Sequence, residues 1–234
     1  MTDRTRLAHF MLEKTTKMQD MNVVYWLDSS SLPSAVEPRL SATEQRRLGK
    51  ISHPRRRRQF LAGRWLVQIA LRDRFQSPLA YATSDTGALD CELAGYAIGL
   101  SHSRSAIAVC IGAGERLGLD IEPIRSRDCL TLAKACFHSA ESKQLSALPP
   151  DKALERFYDL WCLKEATAKH RRTSIFSGVL SQKTSSAHSP GSLPAYHSGR
   201  HQQHALALCC ENTHPVCIKE VGQHAQALEC QRNS

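Results

Sequence analysis

The chain has 234 residues, of which 41% are hydrophobic, 23% charged and 6% aromatic. This length fits one large domain or two small ones, and the composition excludes a disordered chain, a collagen and a disulfide scaffold. The longest apolar run, Ala106 to Gly114, has nine residues, half of the ~18 needed for a membrane span. The amino terminus lacks a signal-peptide pattern, and the nine cysteines show no framework spacing, so we expect reduced thiols and a cytoplasmic protein with no membrane partner.

The positive charge is concentrated in one segment. The formal net charge is +9, and residues 39–74 account for it with eleven basic and two acidic side chains. Such a patch attracts anionic partners, which include nucleic acid, a phosphorylated small molecule and an acidic protein. The alternative is a solvated helix whose arginine stems lie on apolar surface.

The predicted elements come in unequal runs. A capping box at Ser41 and Glu44 begins one helix, and Pro54 begins a second, whose arginines are expected to lie largely opposite its apolar face. Turn-prone residues 83–90 break the pattern, and residues 173–204 read as loops with a brief strand. The fold class predicted by this irregular order is α+β. Strands are predicted over 23–27, 96–100, 107–111, 116–122, 205–210 and 215–221, and further helices over 127–137, 140–148 and 152–170.

Two carboxylates share one face of a predicted strand. In Gly118-Leu119-Asp120-Ile121-Glu122, the side chains of Asp120 and Glu122 point the same way because strand side chains alternate. Like charges at this spacing repel unless a cation lies between them, and Mg²⁺ prefers such oxygen ligands. The alternative is an exposed edge strand with a solvated acidic face.

A third carboxylate interrupts an apolar helix face. Glu165 occupies a position of the 152–170 helix where the stripe predicts an apolar side chain. Burying an unpaired carboxylate costs several kcal/mol, so the group needs a cation, a proton or a ligand. Lys164 and Lys169 flank it, and a Glu–Lys pair on a wet face is the alternative. We infer that Glu165 faces Asp120 and Glu122 in a magnesium site.

The turn Ser101-His102-Ser103 follows an apolar strand. Its hydroxyls, imidazole and backbone N–H groups therefore lie at a sheet end, where phosphate can be held. A Ser–His pair also occurs in hydrolases, but no G-x-S-x-G elbow accompanies this one.

Five motifs follow one another along the chain: Arg55–Arg58 with Phe60-Leu61-Ala62-Gly63-Arg64, Leu100-Ser101-His102-Ser103, Gly118-Leu119-Asp120-Ile121-Glu122, Phe137-x-x-x-Glu141, and Phe157-Tyr158-x-x-Trp161-x-x-Lys164-Glu165-Ala166-x-x-Lys169. In this order and at this spacing, they resemble the motifs of the 4′-phosphopantetheinyl transferase superfamily, of its larger, surfactin-synthetase-activating type. The resemblance covers about residues 22–170 and fits the closing strands more loosely.

The resemblance implies a monomer built from two similar α+β halves related by a pseudo-twofold axis, with the active site in the cleft between them. We expect the halves at residues 22–114 and 115–222. Residues 1–21 are then a loose extension, and residues 223–234 a frayed tail.

The resemblance also implies a reaction. The 4′-phosphopantetheine group of coenzyme A would pass to a serine hydroxyl of an acidic acyl or peptidyl carrier protein, with Mg²⁺ as cofactor and adenosine 3′,5′-bisphosphate released. The metal ligands would be Asp120, Glu122 and Glu165, and the catalytic residues Glu165, Lys169 and Asp120, with Glu165 or a water on the metal as base. The coenzyme A contacts would be Arg57, Arg58, Arg64, Ser101, His102, Lys164 and Lys169.

The chain departs from the family pattern at two places. The family usually has Gly-Lys/Arg-Pro where this chain has Thr86-Gly87-Ala88-Leu89, so a cationic contact to coenzyme A is missing or comes from another residue. After Lys169 the family usually continues into a glycine-containing loop, whereas this chain continues with His170-Arg171-Arg172-Thr173. Neither departure removes an expected metal ligand.

Two other functions fit parts of the sequence. A basic nucleic-acid-binding module using the Arg55–Arg58 helix explains the charge, but it leaves the three acids without a role. A zinc site among the late histidines and cysteines lacks paired-ligand spacing, so we favour loop histidines and apolar cysteines for these positions. The residues concerned are His188, His197, His201, His204, Cys209, Cys210, His214 and Cys217.

Overall fold

The computed structural model describes residues 21–31, 36–76, 81–84, 87–184 and 194–222. The expected extension, apart from Met21, and the expected tail lie outside these ranges, as does His188. The strands are β1 Asn22–Asp28, β2 Tyr81–Thr83, β3 Leu89–Cys91, β4 Tyr96–His102, β5 Ala106–Ala113, β6 Leu117–Pro123, β7 Ala195–His201, β8 His204–Cys210 and β9 Val216–Glu220. The helices are α1 Ala42–Gly49, α2 Pro54–Phe75, α3 Cys129–Cys136, α4 Ser139–Ser146 and α5 Pro150–His170, with a 3₁₀ turn at Ser29–Ser31.

The strands form two sheets. The larger has the order β2-β3-β4-β5-β1-β9, and the smaller has the order β6-β8-β7. Neighbouring strands are antiparallel except β1 and β9, which run parallel. The mixed composition of helices with largely antiparallel sheets confirms the predicted α+β class.

The two sheets pack face to face between two long helices. One face of the larger sheet, with Tyr25 and Val109, packs against α2. The opposite face, with Val24 and Trp26, packs against Leu119 and its neighbours on the smaller sheet. The outer face of the smaller sheet packs against α5. Because strand side chains alternate, consecutive residues of β1 serve two different cores.

The two halves of the chain share an order of elements. β1, α2 and the β4–β5 hairpin are followed by β6, α5 and the β7–β8 hairpin. In each sheet the single strand pairs with the second strand of the hairpin. β9 departs from this scheme, because it comes from the end of the chain and pairs with β1. The pseudo-twofold relation and the division at residue 115 stay predictions.

Local sequence signals explain several boundaries. The capping box is present: Ser41 Oγ accepts from the Glu44 N–H, and Glu44 Oε2 accepts from the Ser41 N–H. The helix it begins ends at Gly49. The short strands β2 and β3 overlap the two ends of the turn-prone segment 83–90, and the predicted brief strand is β7.

The prediction that the arginines of α2 lie opposite its apolar face is wrong for two of them. Arg64 and Arg74 are buried, whereas Arg55, Arg56 and Arg58 are exposed. The apolar pattern misses this difference because a guanidinium can be buried when a partner is provided elsewhere in the chain.

No helix within the described ranges combines the length and apolar composition that crossing a bilayer requires. The cysteines of these ranges are free thiols. Across the same residues, no group of three or more His, Cys, Asp or Glu side chains is arranged to hold a metal ion. Of the late histidines and cysteines, His204, Cys209 and Cys210 are buried on β8.

Candidate active site

A glycine brings α5 and β6 close together. A Cβ atom at Gly118 would lie 1.9 Å from the Ala166 carbonyl oxygen and 2.6 Å from the His170 nitrogen, both on the backbone of α5. Only glycine permits this approach, because backbone atoms cannot move aside as a flexible side chain can. The contact places the last turns of α5 directly beside the two carboxylates that follow Gly118.

Lys169 connects the helix to the strand. Its Nζ donates to Asp120 Oδ1 over 2.8 Å, to the Ser101 Oγ over 3.1 Å and to the Leu119 carbonyl over 3.0 Å. Ser101 Oγ also donates to Asp120 Oδ1 at 3.0 Å. The three predicted residues Ser101, Asp120 and Lys169 therefore form one hydrogen-bonded group.

The expected acid cluster, Asp120, Glu122 and Glu165, is electrostatically coupled. Burial raises the pKa of Glu122 to about 7, and the charges of Asp120 and Glu165 add to the increase. Burial also raises the pKa of Glu165, again with a contribution from Asp120. Lys169 opposes both shifts. The carboxylates thus repel one another, as the spacing of the motif predicts.

The acid cluster lies in a central cleft of about 1020 Å³. α2 contributes Arg56, Phe60 and Arg64, β4 contributes Ser101 and His102, and α5 contributes Glu165 and Lys169. The cleft is therefore lined from both halves of the chain. Arg47, Lys50, Arg116 and Arg172 also line it. Apart from the acid cluster and Glu115, the charged side chains that line the cleft are therefore cationic.

The acid cluster fits a hard cation. Among the residues that the structure describes, none forms a hydrogen bond to the buried Asp120 Oδ2, although burying a charged oxygen without a partner is costly. The charge of Asp120 helps to raise the pKa of Glu122 and of Glu165, and the three carboxylates supply the oxygen ligands that Mg²⁺ prefers. As these side chains stand, they do not form a ready-made coordination shell.

Two predicted coenzyme A contacts lie in the cleft and differ in exposure. Ser101 is buried, whereas His102 is exposed to the cleft. The surrounding walls desolvate the His102 ring and lower its pKa, and the nearby charges of Lys169 and Arg56 lower it further. His102 is therefore favoured in its neutral form.

The predicted arginine contacts are not brought together. Arg64 lines the cleft, but its Nε donates to Glu44 Oε1 over 2.6 Å in a buried ion pair. Arg57 donates to the Leu48 and Ile51 carbonyls and does not line the cleft. Arg58 is exposed and also lies outside the lining.

Lys164 is buried and does not line the cleft. Its Nζ lies 2.8 Å from Glu141 Oε2 and donates to the Gln182 carbonyl over 2.6 Å. Both side chains of the pair are almost fully buried. The Phe137-x-x-x-Glu141 motif thus supplies the partner that lets Lys164 enter the core beneath α5.

Sequence reasoning missed the cation beside the departure at Gly87. A Cβ atom at Gly87 would lie 2.4 Å from Arg47 Nη2, so the Arg47 guanidinium covers this segment and lines the cleft. Gly87 also has a φ of +95°, which favours glycine. The pair Arg46-Arg47 on α1 was the available signal, but only the fold shows which of the two reaches the cleft.

The chain is similar in sequence to several known proteins. The sequence-family model described as the 4′-phosphopantetheinyl transferase superfamily matches residues 116–218. The 4′-phosphopantetheinyl transferase AcpT of Escherichia coli K12 is 33% identical over 156 residues, which cover 62% of this chain and 74% of AcpT. The 4′-phosphopantetheinyl transferase HetI of Nostoc sp. is 29% identical over 138 residues, covering 56% of this chain and 58% of HetI. The 4′-phosphopantetheinyl transferase pptA of Paxillus involutus is 28% identical over 179 residues, covering 65% and 67%.

The fold and site define an α+β protein with a cationic cleft built around paired carboxylates. The chain belongs to the 4′-phosphopantetheinyl transferase superfamily.

Proposed function

We propose that this protein is a transferase that moves the 4′-phosphopantetheine group of coenzyme A to a serine hydroxyl of an acyl or peptidyl carrier protein. Adenosine 3′,5′-bisphosphate is the second product. The observation that supports the proposal best is the Lys169–Asp120–Ser101 group beside Glu122 and Glu165 in the central cleft. Family membership supports the reaction class, and the cleft has the cationic lining that a phosphorylated substrate requires.

Asp120, Glu122 and Glu165 are the residues that would hold Mg²⁺. Two observations support this assignment: Asp120 Oδ2 is buried without a hydrogen bond from any described residue, and the pKa of Glu122 and of Glu165 is raised. When bound, the metal supplies positive charge to the coenzyme A pyrophosphate during transfer.

The reaction exchanges one phosphorus–oxygen bond for another. The serine oxygen of the carrier protein forms a bond to the phosphorus next to the pantetheine, and the bond from that phosphorus to the bridging oxygen breaks. The electron pair leaves with the adenosine bisphosphate, which therefore gains negative charge. Lys169 stabilises that charge because its ammonium already lies in the cleft at a fixed position.

Glu165 accepts the serine proton in this proposal. A carboxylate in water is a weak base, and burial beside Asp120 raises the pKa of Glu165, which makes it a better proton acceptor near neutral pH. Asp120 fixes Lys169 through their 2.8 Å contact. Glu165, Lys169 and Asp120 are thus the proposed catalytic residues.

Ser101 and His102 are the proposed contacts to the coenzyme A phosphates, and Arg64 the proposed contact near the adenosine 3′-phosphate. Arg47 is a further candidate, because it occupies the segment where the family's usual cation is absent. The positions of Arg57, Arg58 and Lys164 outside the cleft lining give their predicted contacts no support. The cytoplasmic location and the monomeric state stay predictions.

The test is direct. Purified protein is incubated with coenzyme A, Mg²⁺ and the apo forms of several fatty-acid, polyketide and peptidyl carrier proteins, and intact masses are measured. We expect one phosphopantetheine group to be added to at least one carrier, and the addition to stop when EDTA removes the metal. Coenzyme A binding without modification of any carrier contradicts the proposal.

A further inference from the structure

The end of β4 alternates between buried and exposed side chains. β4 ends with Ser101 and His102, and Ser103 begins the turn to β5. Ser101 and Ser103 are buried, whereas His102 between them is exposed and lines the cleft. Neighbouring side chains of an extended segment point to opposite faces. The two serines therefore lie on the face of this segment opposite to His102.

Ser103 closes the turn between β4 and β5. Its N–H donates to the Ala106 carbonyl over 2.8 Å, and its Oγ accepts from the N–H groups of Ser105 and Ala106 over 3.3 and 3.1 Å. From α2, Gln59 Nε2 donates to the Ser103 carbonyl over 2.7 Å. These bonds come from the turn itself and from α2, so they fix its shape without attaching it to the smaller sheet.

His204 joins this turn to the smaller sheet. It is the first residue of β8, and its Nε2 lies 3.0 Å from Ser103 Oγ and 3.0 Å from Ser105 Oγ. The ring is buried and packs edge-on against the indole of Trp26 on β1, with the ring centroids 5.1 Å apart. The imidazole thus lies between the two sheets, with one ring nitrogen directed at the turn.

Packing alone does not account for a histidine at this position. Trp26 belongs to the apolar core between the sheets, where an imidazole loses its hydration at a cost. His204 Nδ1 is buried and forms no hydrogen bond with any described residue. Within the described ranges, the polar contacts of the ring are therefore those to Ser103 and Ser105, which offset part of this cost. A buried polar side chain whose contacts go to a single turn favours a role in holding that turn.

The backbone of His102 is consequently attached on both sides to elements that follow residue 115. Ser101, one residue earlier, bonds to Asp120 of β6 and Lys169 of α5. Ser103, one residue later, contacts His204 of β8. These two attachments fix the place from which the imidazole of His102 enters the cleft.

We infer that His204 is a positioning residue for coenzyme A binding, which rests on the proposed function. It holds Ser103 and Ser105 against the smaller sheet and so keeps His102 where a phosphate of coenzyme A is contacted. His204 itself is buried and contacts neither substrate. Loss of its hydrogen bonds should therefore lower the affinity for coenzyme A and have little effect on the chemical step.

The experiment separates this role from a contribution to stability. His204→Phe keeps a planar ring against Trp26 but removes the hydrogen bonds to the turn, whereas the side-chain amide of His204→Gln can still bond to a hydroxyl. Leu145→Ala is the matched control, because Leu145 is buried on α4 outside the cleft lining, and the cavity that the change leaves lowers stability.

Three readouts are compared for each protein. The Kd for coenzyme A is measured by isothermal titration calorimetry with Mg²⁺ and without carrier. The KM for coenzyme A and kcat are obtained from intact carrier masses, and stability from urea unfolding. His204→Phe is also made in a His102→Ala background, which completes a double-mutant cycle for coenzyme A binding.

We expect His204→Phe to raise the Kd and the KM for coenzyme A about tenfold, and to leave kcat at saturating coenzyme A within about threefold. His204→Gln should stay within about twofold of the unmodified protein, because it retains a hydrogen bond to the turn. Leu145→Ala should lower stability without changing the Kd. In the His102→Ala background, His204→Phe should change the Kd by less than about twofold, because the residue through which it acts is already absent.

Ser105→Ala replaces His204→Phe if circular dichroism shows a folding defect. It removes one of the two hydroxyls that His204 contacts and leaves the imidazole in the core. We expect it to raise the Kd for coenzyme A about threefold.

The other outcomes overturn the inference. A Kd that is unchanged in the folded variant, or raised equally in Leu145→Ala, makes His204 a residue of the core alone. A rise that persists in the His102→Ala background shows that His204 does not act through His102, and a failure of His204→Gln to retain affinity shows that the hydrogen bonds are not the cause. If the unmodified protein binds coenzyme A but modifies no carrier, the proposed function fails, while the calorimetric cycle still decides the role of His204. Absence of coenzyme A binding by the unmodified protein overturns both.

Discussion

The ammonium of Lys169 lies 2.8 Å from Asp120 Oδ1, and this contact joins the last turn of α5 to β6 in the central cleft. The Asp120 side chain is 5% exposed and that of Lys169 is 36% exposed. One partner is thus buried while the other reaches the cleft. Removing the ammonium would leave a buried carboxylate without its cation, which is energetically costly. The pair therefore affects the charge in the cleft and the packing of α5 against β6.

We expect Lys169→Met to lower kcat for carrier modification about 10²- to 10³-fold, because a fixed cation beside the reacting phosphate is lost. Lys152→Met is the matched control, since Lys152 is on the same helix and its exposed pair with Glu155 contributes little stability. Rates are read from intact carrier masses under saturating coenzyme A. A Lys169→Met protein that keeps kcat within about threefold of the control would remove Lys169 from the mechanism.

Asp120→Asn and Glu165→Gln should each abolish transfer and weaken Mg²⁺ binding, because each removes a proposed oxygen ligand. Binding of Mg²⁺ is measured by isothermal titration calorimetry in the absence of coenzyme A. Glu155→Gln provides the control, as Glu155 lies on α5 but outside the cleft lining. Unchanged magnesium affinity in both cleft variants is the result that contradicts the metal assignment.

Arg64→Met should lower the free energy of unfolding by about 3–5 kcal/mol, because it leaves the buried Glu44 carboxylate without its cation. Arg58→Met changes an exposed arginine of the same helix and should stay within about 0.5 kcal/mol of the unmodified protein. Urea unfolding followed by circular dichroism measures both values. In folded Arg64→Met protein, we also expect coenzyme A to lose more affinity than dephospho-coenzyme A; equal losses would reject a contact to the 3′-phosphate.

The α+β class and most elements were predictable because their signals are local. The Ser41–Glu44 capping box, the Pro54 helix start and the alternation around Asp120 each depend on residues within one or two turns of one another. The six-stranded sheet was not predictable in the same way. Its neighbours β1 and β9 are about 190 residues apart in sequence, with Asn22 opposite Val216, and no local pattern encodes that pairing.

The candidate site likewise combines features that local sequence predicts with features that depend on distant residues. Asp120, Glu122 and Glu165 were expected to meet, and the electrostatic coupling among them is consistent with that expectation. The positions of the two lysine side chains depend on partners that are far away in sequence. Lys164 and Lys169 look equivalent on the helix, but only the fold places Glu141 beside one and Asp120 beside the other.

Lys164→Met should destabilise the fold by about 3–5 kcal/mol while leaving the Kd for coenzyme A unchanged, because the lysine pairs with buried Glu141 outside the cleft. The double variant Glu141→Leu with Lys164→Met should recover much of the loss, since it removes both charges from the core. Urea unfolding and calorimetric titration of coenzyme A give the two readouts. A fall in coenzyme A affinity at unchanged stability would instead place Lys164 at the pyrophosphate.

The buried His204 should make stability depend on pH. Its Nε2 lies 3.0 Å from the hydroxyl oxygens of Ser103 and Ser105, and burial lowers its pKa. The unfolded chain therefore binds more protons at this residue than the folded one once the pH falls below about 6.5. Stability contributed by neutral His204 is present above that pH and is lost as the pH decreases.

We accordingly expect the stability advantage of the unmodified protein over His204→Gln to shrink between pH 7.5 and pH 5, which are about one unit above and 1.5 units below the ordinary histidine pKa. Each unit of pKa difference corresponds to about 1.4 kcal/mol. Ser105→Ala is the matched control, because it removes one neighbouring hydroxyl but keeps the imidazole and its pH dependence. Urea unfolding at each pH gives the free energies. A difference that stays constant across this range would mean that His204 titrates alike in the folded and unfolded chains, and burial would then not explain its behaviour.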